Sequence, residues 1–406
     1  MRILMVNYEY PPLGGGGGIA HQEVSEALAR AHEVHVLTTH FPGLPRSERR
    51  NGVTITRVPV WGRTSLPTAT IRSMVTFAPS AFLAGLSLVR AWHPHIINTY
   101  FAVPSGLPAV LLGRLMRIPV VLTLIGSDIF DPNPTAGIST HRHPLLRAII
   151  RRIIRAASAR VAISDDTKRR AQDYHGAPPD IEVIPLGLVP PRNIPSRSAR
   201  APDDRVFRIV TIGRLIPRKG YRDLLEAIAL ANRSDIHLHL IGDGPLGPEL
   251  RAAAERLGLT DRVTFHGAVN ESEKWNMLFD ADCFISASLY EGFGIVFLEA
   301  MYAGLPIIAT DEGGQTDFLV TGENALLVPP RQPHQLAAAL SLLLREETLR
   351  RRLGEANRMK AGEHLITRTA RRYEELFERV LSTESARTAR GGVPVRQAVT
   401  QEAKLK

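Results

Sequence analysis

Two glutamates, Glu291 and Glu299, bracket a glycine loop in the stretch from Ser288 to Met301, SLYEGFGIVFLEAM. The apolar run from Asp282 to Ala287 ahead of it reads as a strand buried on both faces. Behind it, Ile295 to Ala303 carries good helix formers and stops at Gly304, with Pro306 following. Strand, glycine loop and helix in that order aim the amides of Gly294, Ile295 and Val296 beyond the carboxyl end of a sheet, where the helix dipole favours an anion. That chemistry is phosphate binding. Carboxylates beside a phosphate repel it unless they accept from neutral hydroxyls, so Glu291 and Glu299 read as acceptors for sugar or ribose OH groups. A lone glutamate at a helix start is ordinarily solvated, but the apolar run around both argues against that here.

A second strand-to-loop junction supplies the opposite charge. The strand from Phe207 to Ile212 runs into Gly213, Arg214 and, after Pro217 and Arg218, Lys219 and Gly220. A glycine at the strand end lets a diphosphate come close, and Arg214 with Lys219 neutralises it as a leaving group gains charge. Arg218 reads as solvated surface.

Glu291-x7-Glu299, followed by Ala303-Gly304-Leu305-Pro306 and preceded by the Arg214 and Lys219 pair, resembles the signature of the retaining glycosyltransferases of family four. The resemblance implies an α/β chain of GT-B fold: two Rossmann-like, doubly wound parallel-sheet domains facing an interdomain cleft. It covers the chain from the first strand to about Leu381. It implies that Glu299 binds the ribose hydroxyls of a nucleotide diphosphate sugar, Glu291 approaches the transferred sugar, and Gly294 to Val296 hold the diphosphate. Arg214 and Lys219 would act on the donor phosphates in place of a divalent metal, next to Gly213. Backbone at Gly267 and Ala268 would meet the base. In the first domain, amides near Gly17 and Gly18 would approach the donor phosphate across the cleft. Many family members carry a histidine against the transferred sugar where this chain has Ile125, leaving Asp128, or His141 and His143, as candidate sugar or acceptor contacts.

The elements that must position these groups follow from the pattern along the chain. A length of 406 residues suggests two or three domains. The first is expected over 1–188, completed by a C-terminal amphipathic helix over 366–381 that crosses back onto it. A proline-rich and charged linker is expected over 189–205, the donor domain over 206–365, and a disordered basic tail over 382–406. The strand Arg2 to Asn7, a loop from Pro11 to Gly18 opening a helix at about Ile19, and the strand Glu33 to Thr38 form a βαβ unit. Gly15-x-Gly17-x-x-Ala20 matches a dinucleotide fingerprint, but Thr38-Thr39-His40 stands where the ribose-binding acid belongs, which disfavours a nicotinamide cofactor.

Composition and charge bound the partners. The formal net charge of +10 asks for an acidic partner, and with no nucleic-acid motif an anionic membrane or substrate is the better match. Arg147, Arg151 and Arg155 form a row opposite an apolar helical face, a candidate membrane contact, although any surface helix shows such a pattern. Ser73 to Val89 carries no charge but is shorter than the roughly 20 residues of a span and contains Pro79, so it reads as a buried helix. The single cysteine, Cys283, excludes internal disulfides and a cysteine metal cluster and fits a reducing cytoplasm. Met1 to Val6 reads as a strand, not a leader. Localisation is therefore expected to be cytoplasmic, with peripheral attachment to the inner membrane face as an option. Asp280-Ala281-Asp282 spells a metal pattern of another glycosyltransferase fold, but Asp282 opens a buried strand, so no metal site is expected.

The reading is a metal-independent hexosyltransferase that needs no cofactor beyond its co-substrate. It would move a hexosyl group from a nucleotide diphosphate sugar to a hydroxyl of a glycan or lipid-linked glycan, with retained configuration. The alternative is a nucleotide-sugar-binding partner subunit without transfer activity.

Overall fold

The computed structural model describes residues 1–66, 69–132, 139–194 and 205–391. Short apolar runs buried on both faces become parallel strands, and the helices between them cover the sheets. The first sheet holds β1 (Arg2–Val6), β2 (Glu33–Thr39), β3 (Ser47–Arg50), β4 (Val53–Val58), β5 (Ile96–Tyr100), β6 (Val120–Leu124), β7 (Ala159–Ala162) and β8 (Glu182–Val183). Their order is β3-β4-β2-β1-β5-β6-β7-β8, all parallel except the edge pair β3 and β4. The second sheet holds β9 (Phe207–Ile212), β10 (Ile236–Ile241), β11 (Val263–Gly267), β12 (Cys283–Ser286), β13 (Ile307–Thr310) and β14 (Ala325–Val328), ordered β11-β10-β9-β12-β13-β14 and parallel throughout. Two doubly wound sheets, parallel but for the β3 edge, are the architecture the family resemblance implies.

In each sheet the order reverses beside one strand, β1 in the first and β9 in the second. Ligands of open α/β sheets bind in the crevice such a reversal opens at the carboxyl ends. The glycine run before the helix Gly16–Leu28 follows β1, and Gly213 and Arg214 follow β9. Both switch points thus present the residues singled out for phosphate chemistry.

Three expectations need correction. The first helix starts at Gly16, not at about Ile19; a Cβ at Gly17 would stand 2.4 Å from the Phe101 ring and one at Gly18 3.2 Å from Glu9 Cβ, whereas Gly16 faces open space. The last helix runs Ile366–Gly391, ten residues beyond the expected stop, since the alanine and arginine content of 382–391 extends an already nucleated helix at little cost. The remainder of the expected tail, 392–406, and linker residues 195–204 lie outside the described residues. Finally, the helix Ile71–Trp92, uncharged only from Ser73 to Val89, is partly buried rather than enclosed. Phe77, Ala81, Gly85 and Val89 pack inward, while Ile71, Val75 and Leu83 stay exposed.

The last helix does cross back. Tyr373 and Phe377 are fully buried, and the Tyr373 hydroxyl lies 3.2 Å from that of Tyr100 and 3.1 Å from Thr123 Oγ1 in the first sheet.

Candidate active site

The site is assembled from loops at the carboxyl ends of both sheets. The helix Ile295–Tyr302 begins after Gly294, whose φ of 88° is the left-handed conformation that only glycine adopts cheaply. Ile295 and Val296 occupy the first two helical positions, whose amides have no acceptor within the helix. Glu291 is buried and forms an ion pair with Lys219, and Ser288 Oγ donates to its Oε1 at 2.7 Å. Burial alone would raise the Glu291 carboxyl, but the Lys219 ammonium, with Arg218 and Ser288, outweighs it and holds the group below the ordinary range. Lys219 reaches Glu291 by passing over Gly213, where a Cβ would stand 3.2 Å from its Cε.

Glu299 is also buried, 2.6 Å from Lys274 Nζ, which in turn lies 2.8 Å from Glu271. Here burial wins over Lys274 and the Glu299 carboxyl titrates above its usual value. Gly267 at the end of β11 has φ 70° and accepts from the Gly242 amide at 2.8 Å, leaving Ala268 exposed at the rim.

The first domain closes the site from the other side. Glu9 takes the Gly15 amide at 3.1 Å, and the Gly18 amide donates to the Gly15 carbonyl at 2.9 Å. The Gly18 amide is thus already used, while Gly16 and Gly17 occupy the first two positions of the helix, whose amides have no acceptor within it. Arg214 spans the cleft: a Cβ on Gly15 would stand 3.4 Å from its Nε. The two domains also meet backbone to backbone. A Cβ on Gly292 would stand 2.5 Å from the Ile125 carbonyl oxygen, and Ser164 Oγ donates to the Gly292 carbonyl at 2.8 Å. Ile125 itself lines this contact, buried beside Gly17.

The weaker candidates are not brought to the cleft as free groups. Asp128 turns back on its own loop, where its two carboxylate oxygens accept from the Ala102 and Ile125 amides at 2.7 and 3.0 Å; burial pushes it up to about 6. His141 is buried against Phe130 and Tyr174 with Nδ1 2.9 Å from Ser139 Oγ. His143 is exposed at the start of the helix Pro144–Ala156. The arginine row is not an open membrane face either. Arg147 Nε donates to the Tyr174 carbonyl at 2.8 Å and Arg151 Nε to that of His175 at 2.9 Å, capping the neighbouring helix Asp165–His175; Arg155 is exposed. Lone helix-end carbonyls attract cations, which accounts for Arg147 and Arg151.

Four participants escaped sequence reasoning. Lys274 holds Glu299. Arg170 pairs with Asp166 in its own domain and with Glu312 in the other, and its guanidinium lies 3.9 Å from the Phe130 ring centroid and 4.8 Å from that of Tyr290. Phe101 takes a φ of 68°, rare outside glycine, against Gly17. Glu23, on the helix Gly16–Leu28, faces Glu299 and Lys274 from the other domain. Its Oε2 is buried without a hydrogen-bond partner among the described residues, and burial with the Glu299 charge pushes it up to about 8. Only their charge or bulk was visible in the sequence, and such residues are usually surface.

Comparison with known families settles the class. Residues 195–360 match the family described as Glycosyl transferases group 1, and residues 15–187 match the Glycosyl transferase 4-like domain. The chain belongs to the group 1 glycosyltransferases. A 2-deoxystreptamine glucosyltransferase of Streptomyces kanamyceticus is 29% identical over 79% of this chain and 87% of that protein. A GDP-mannose-dependent alpha-(1-6)-phosphatidylinositol monomannoside mannosyltransferase of Mycobacterium tuberculosis is 28% identical over 88% and 92%. The fold is that of the sucrose-phosphate synthase of Thermosynechococcus elongatus, with a TM-score of 0.77, 22% identity, and coverage of 94% of this chain and 100% of that one. Anabaena HepE in complex with UDP-glucose superposes with a TM-score of 0.72 at 18% identity, covering 95% and 100%. This glycosyltransferase is a GT-B enzyme that moves a hexosyl group from a nucleotide sugar to an acceptor.

Proposed function

We propose that the donor's diphosphate lies between the amide ends of the helices Gly16–Leu28 and Ile295–Tyr302, with Arg214 and Lys219 supplying the compensating charge. The observation that carries this reading is the convergence of two helix N-termini and two cations on one cleft, with Arg214 of the second domain lying against Gly15 of the first. Such fixed positive groups stabilise the phosphate as the bond to the sugar breaks. Arg214 and Lys219 then perform the service a divalent cation gives in other sugar transferases, and the enzyme works without one. Glu299, held by Lys274, takes the ribose hydroxyls, and Glu291, held by Lys219, orients the sugar ring. Gly267 and Ala268 border the base. The acceptor hydroxyl attacks from the face the leaving phosphate departs, and that phosphate oxygen takes its proton, so configuration is retained without a protein nucleophile.

The acceptor is a glycan or lipid-linked glycan, used at the cytoplasmic side of a membrane; the mannosyltransferase relative named for a phosphatidylinositol acceptor supports the lipid-linked class. Titration with UDP, GDP and ADP sugars, followed by nucleotide diphosphate release, tests the donor site. Binding with slow hydrolysis is expected for one base, and Arg214→Gln is expected to weaken binding at least tenfold in a folded protein. Unchanged affinity in that variant refutes the assignment.

A further inference from the structure

The helix Ile71–Trp92 has two unlike faces. Its inner stripe seats so closely on the first domain that a Cβ on Gly85 would stand 2.5 Å from Leu112 Cδ1. Its outer face leaves Ile71, Val75 and Leu83 at 41%, 66% and 65% exposure. The helix Leu107–Met116 packs beside it and turns Leu107, Leu111 and Leu115 outward as well. Trp61, 81% exposed, is tied to this platform by its backbone amide, which donates to Thr76 Oγ1 at 2.9 Å. A soluble surface scatters its apolar residues singly; this one gathers them on two adjacent helices.

Charge says what covers the platform. Between Glu48 and Asp128 the sequence contains no acidic residue and eight arginines. Of these, Arg72, Arg90, Arg114 and Arg117 are exposed on or just beyond the two platform helices. Leucine, isoleucine and valine at the centre, a tryptophan at the edge, guanidinium groups around them and no carboxylate on the two helices themselves match the interface of a bilayer carrying anionic headgroups. The helix is apolar and long enough to cross a membrane by length and composition alone, but its buried stripe commits it to the sheet, so it can lie only on the surface.

We propose that the outer face of Ile71–Trp92 and Leu107–Met116 docks this enzyme on an anionic lipid bilayer. The apolar side chains enter the headgroup boundary and the arginines meet the lipid phosphates. This surface is separate from the donor cleft and from the arginine row of Pro144–Ala156. The inference does not depend on the donor assignment, since vesicle binding is measured without nucleotide.

The test is cosedimentation of the full chain with vesicles of pure phosphatidylcholine and of phosphatidylcholine containing about one third phosphatidylglycerol. Binding to the anionic vesicles and not to the neutral ones is expected, weakening as salt rises. Val75→Asp with Leu83→Asp is expected to abolish it, and Arg72→Gln with Arg90→Gln to weaken it about tenfold, while thermal midpoint and donor hydrolysis stay unchanged. No sedimentation with anionic vesicles at low salt overturns the proposal. So does undiminished binding by the Val75 and Leu83 variant. A concentration-dependent dimer that this variant dissociates, without vesicle binding, overturns it in favour of a second copy of the chain.

Discussion

Gly292 is where the two domains touch without any side chain between them, and replacing it with alanine measures how much turnover depends on their closure. The new methyl would stand 2.5 Å from the Ile125 carbonyl oxygen and 3.4 Å from Gly126 Cα. Both neighbours are backbone, so neither can rotate aside, and ordinary contact requires the domains to part locally by about 0.9 Å. Overpacking of this kind costs about 1–3 kcal/mol, and a misplacement of about 1 Å costs on the order of a hundredfold in rate. The residue adjoins Glu291, whose carboxylate is fixed within the second domain by Lys219 and Ser288. The donor half of the site therefore stays intact while its alignment with the first domain is lost. Gly292→Ala is expected to lower kcat/KM by about ten- to a hundredfold, with nucleotide diphosphate affinity, measured by calorimetry, within about threefold of the parent. Wild-type turnover in the folded variant refutes this reasoning. A fall in nucleotide affinity as large as the fall in turnover also refutes it, by placing the damage in the donor loop.

Lys219→Met leaves Glu291 buried without its counter-ion, a change that costs about 3–5 kcal/mol, so both thermal midpoint and activity should fall; adding Glu291→Gln should restore much of the midpoint, read by calorimetry, and none of the activity. Glu23 gives a pH dependence. Its folded carboxyl is raised from the ordinary 4.5 to about 8, so the stability it contributes is full below 4.5 and lost as pH rises towards 8. Glu23→Gln should therefore raise the midpoint at pH 8, leave it nearly unchanged at pH 4, and flatten the profile between.

Much of this arrangement was legible because it rests on local patterns. The run from Asp282 to Gly304 fixes strand, loop and helix by its own residue types, and the pairing of Arg214 with Lys219 follows from their place after a buried strand. Other features depend on contacts between distant segments. Three glycines in the first turn of Gly16–Leu28 argue against a helix by propensity, and only the approach of Phe101 and Glu9 shows why Gly17 and Gly18 are there. The edge hairpin of β3 and β4 carries its own local signal: Asn51 and Gly52, with φ of 49° and 84°, are the turn pair such hairpins favour. The row with Arg147 and Arg151 fits an ordinary surface helix and a membrane contact alike in the sequence, which does not show that a neighbouring helix ends beneath them. Arg170 and Glu312, 142 residues apart, meet only because the two domains do.

The chain passes between the domains twice, and the two passages lie side by side. Leu188 pairs with Leu365: its amide donates to the His364 carbonyl at 2.7 Å, and its carbonyl accepts from Ile366 at 2.9 Å. The chain's departure from the first lobe and its return to it are thereby held side by side. The segment between Leu188 and Leu365 is thus an insertion whose two ends meet, and a short turn in its place would leave the first lobe with its own closing helix still attached.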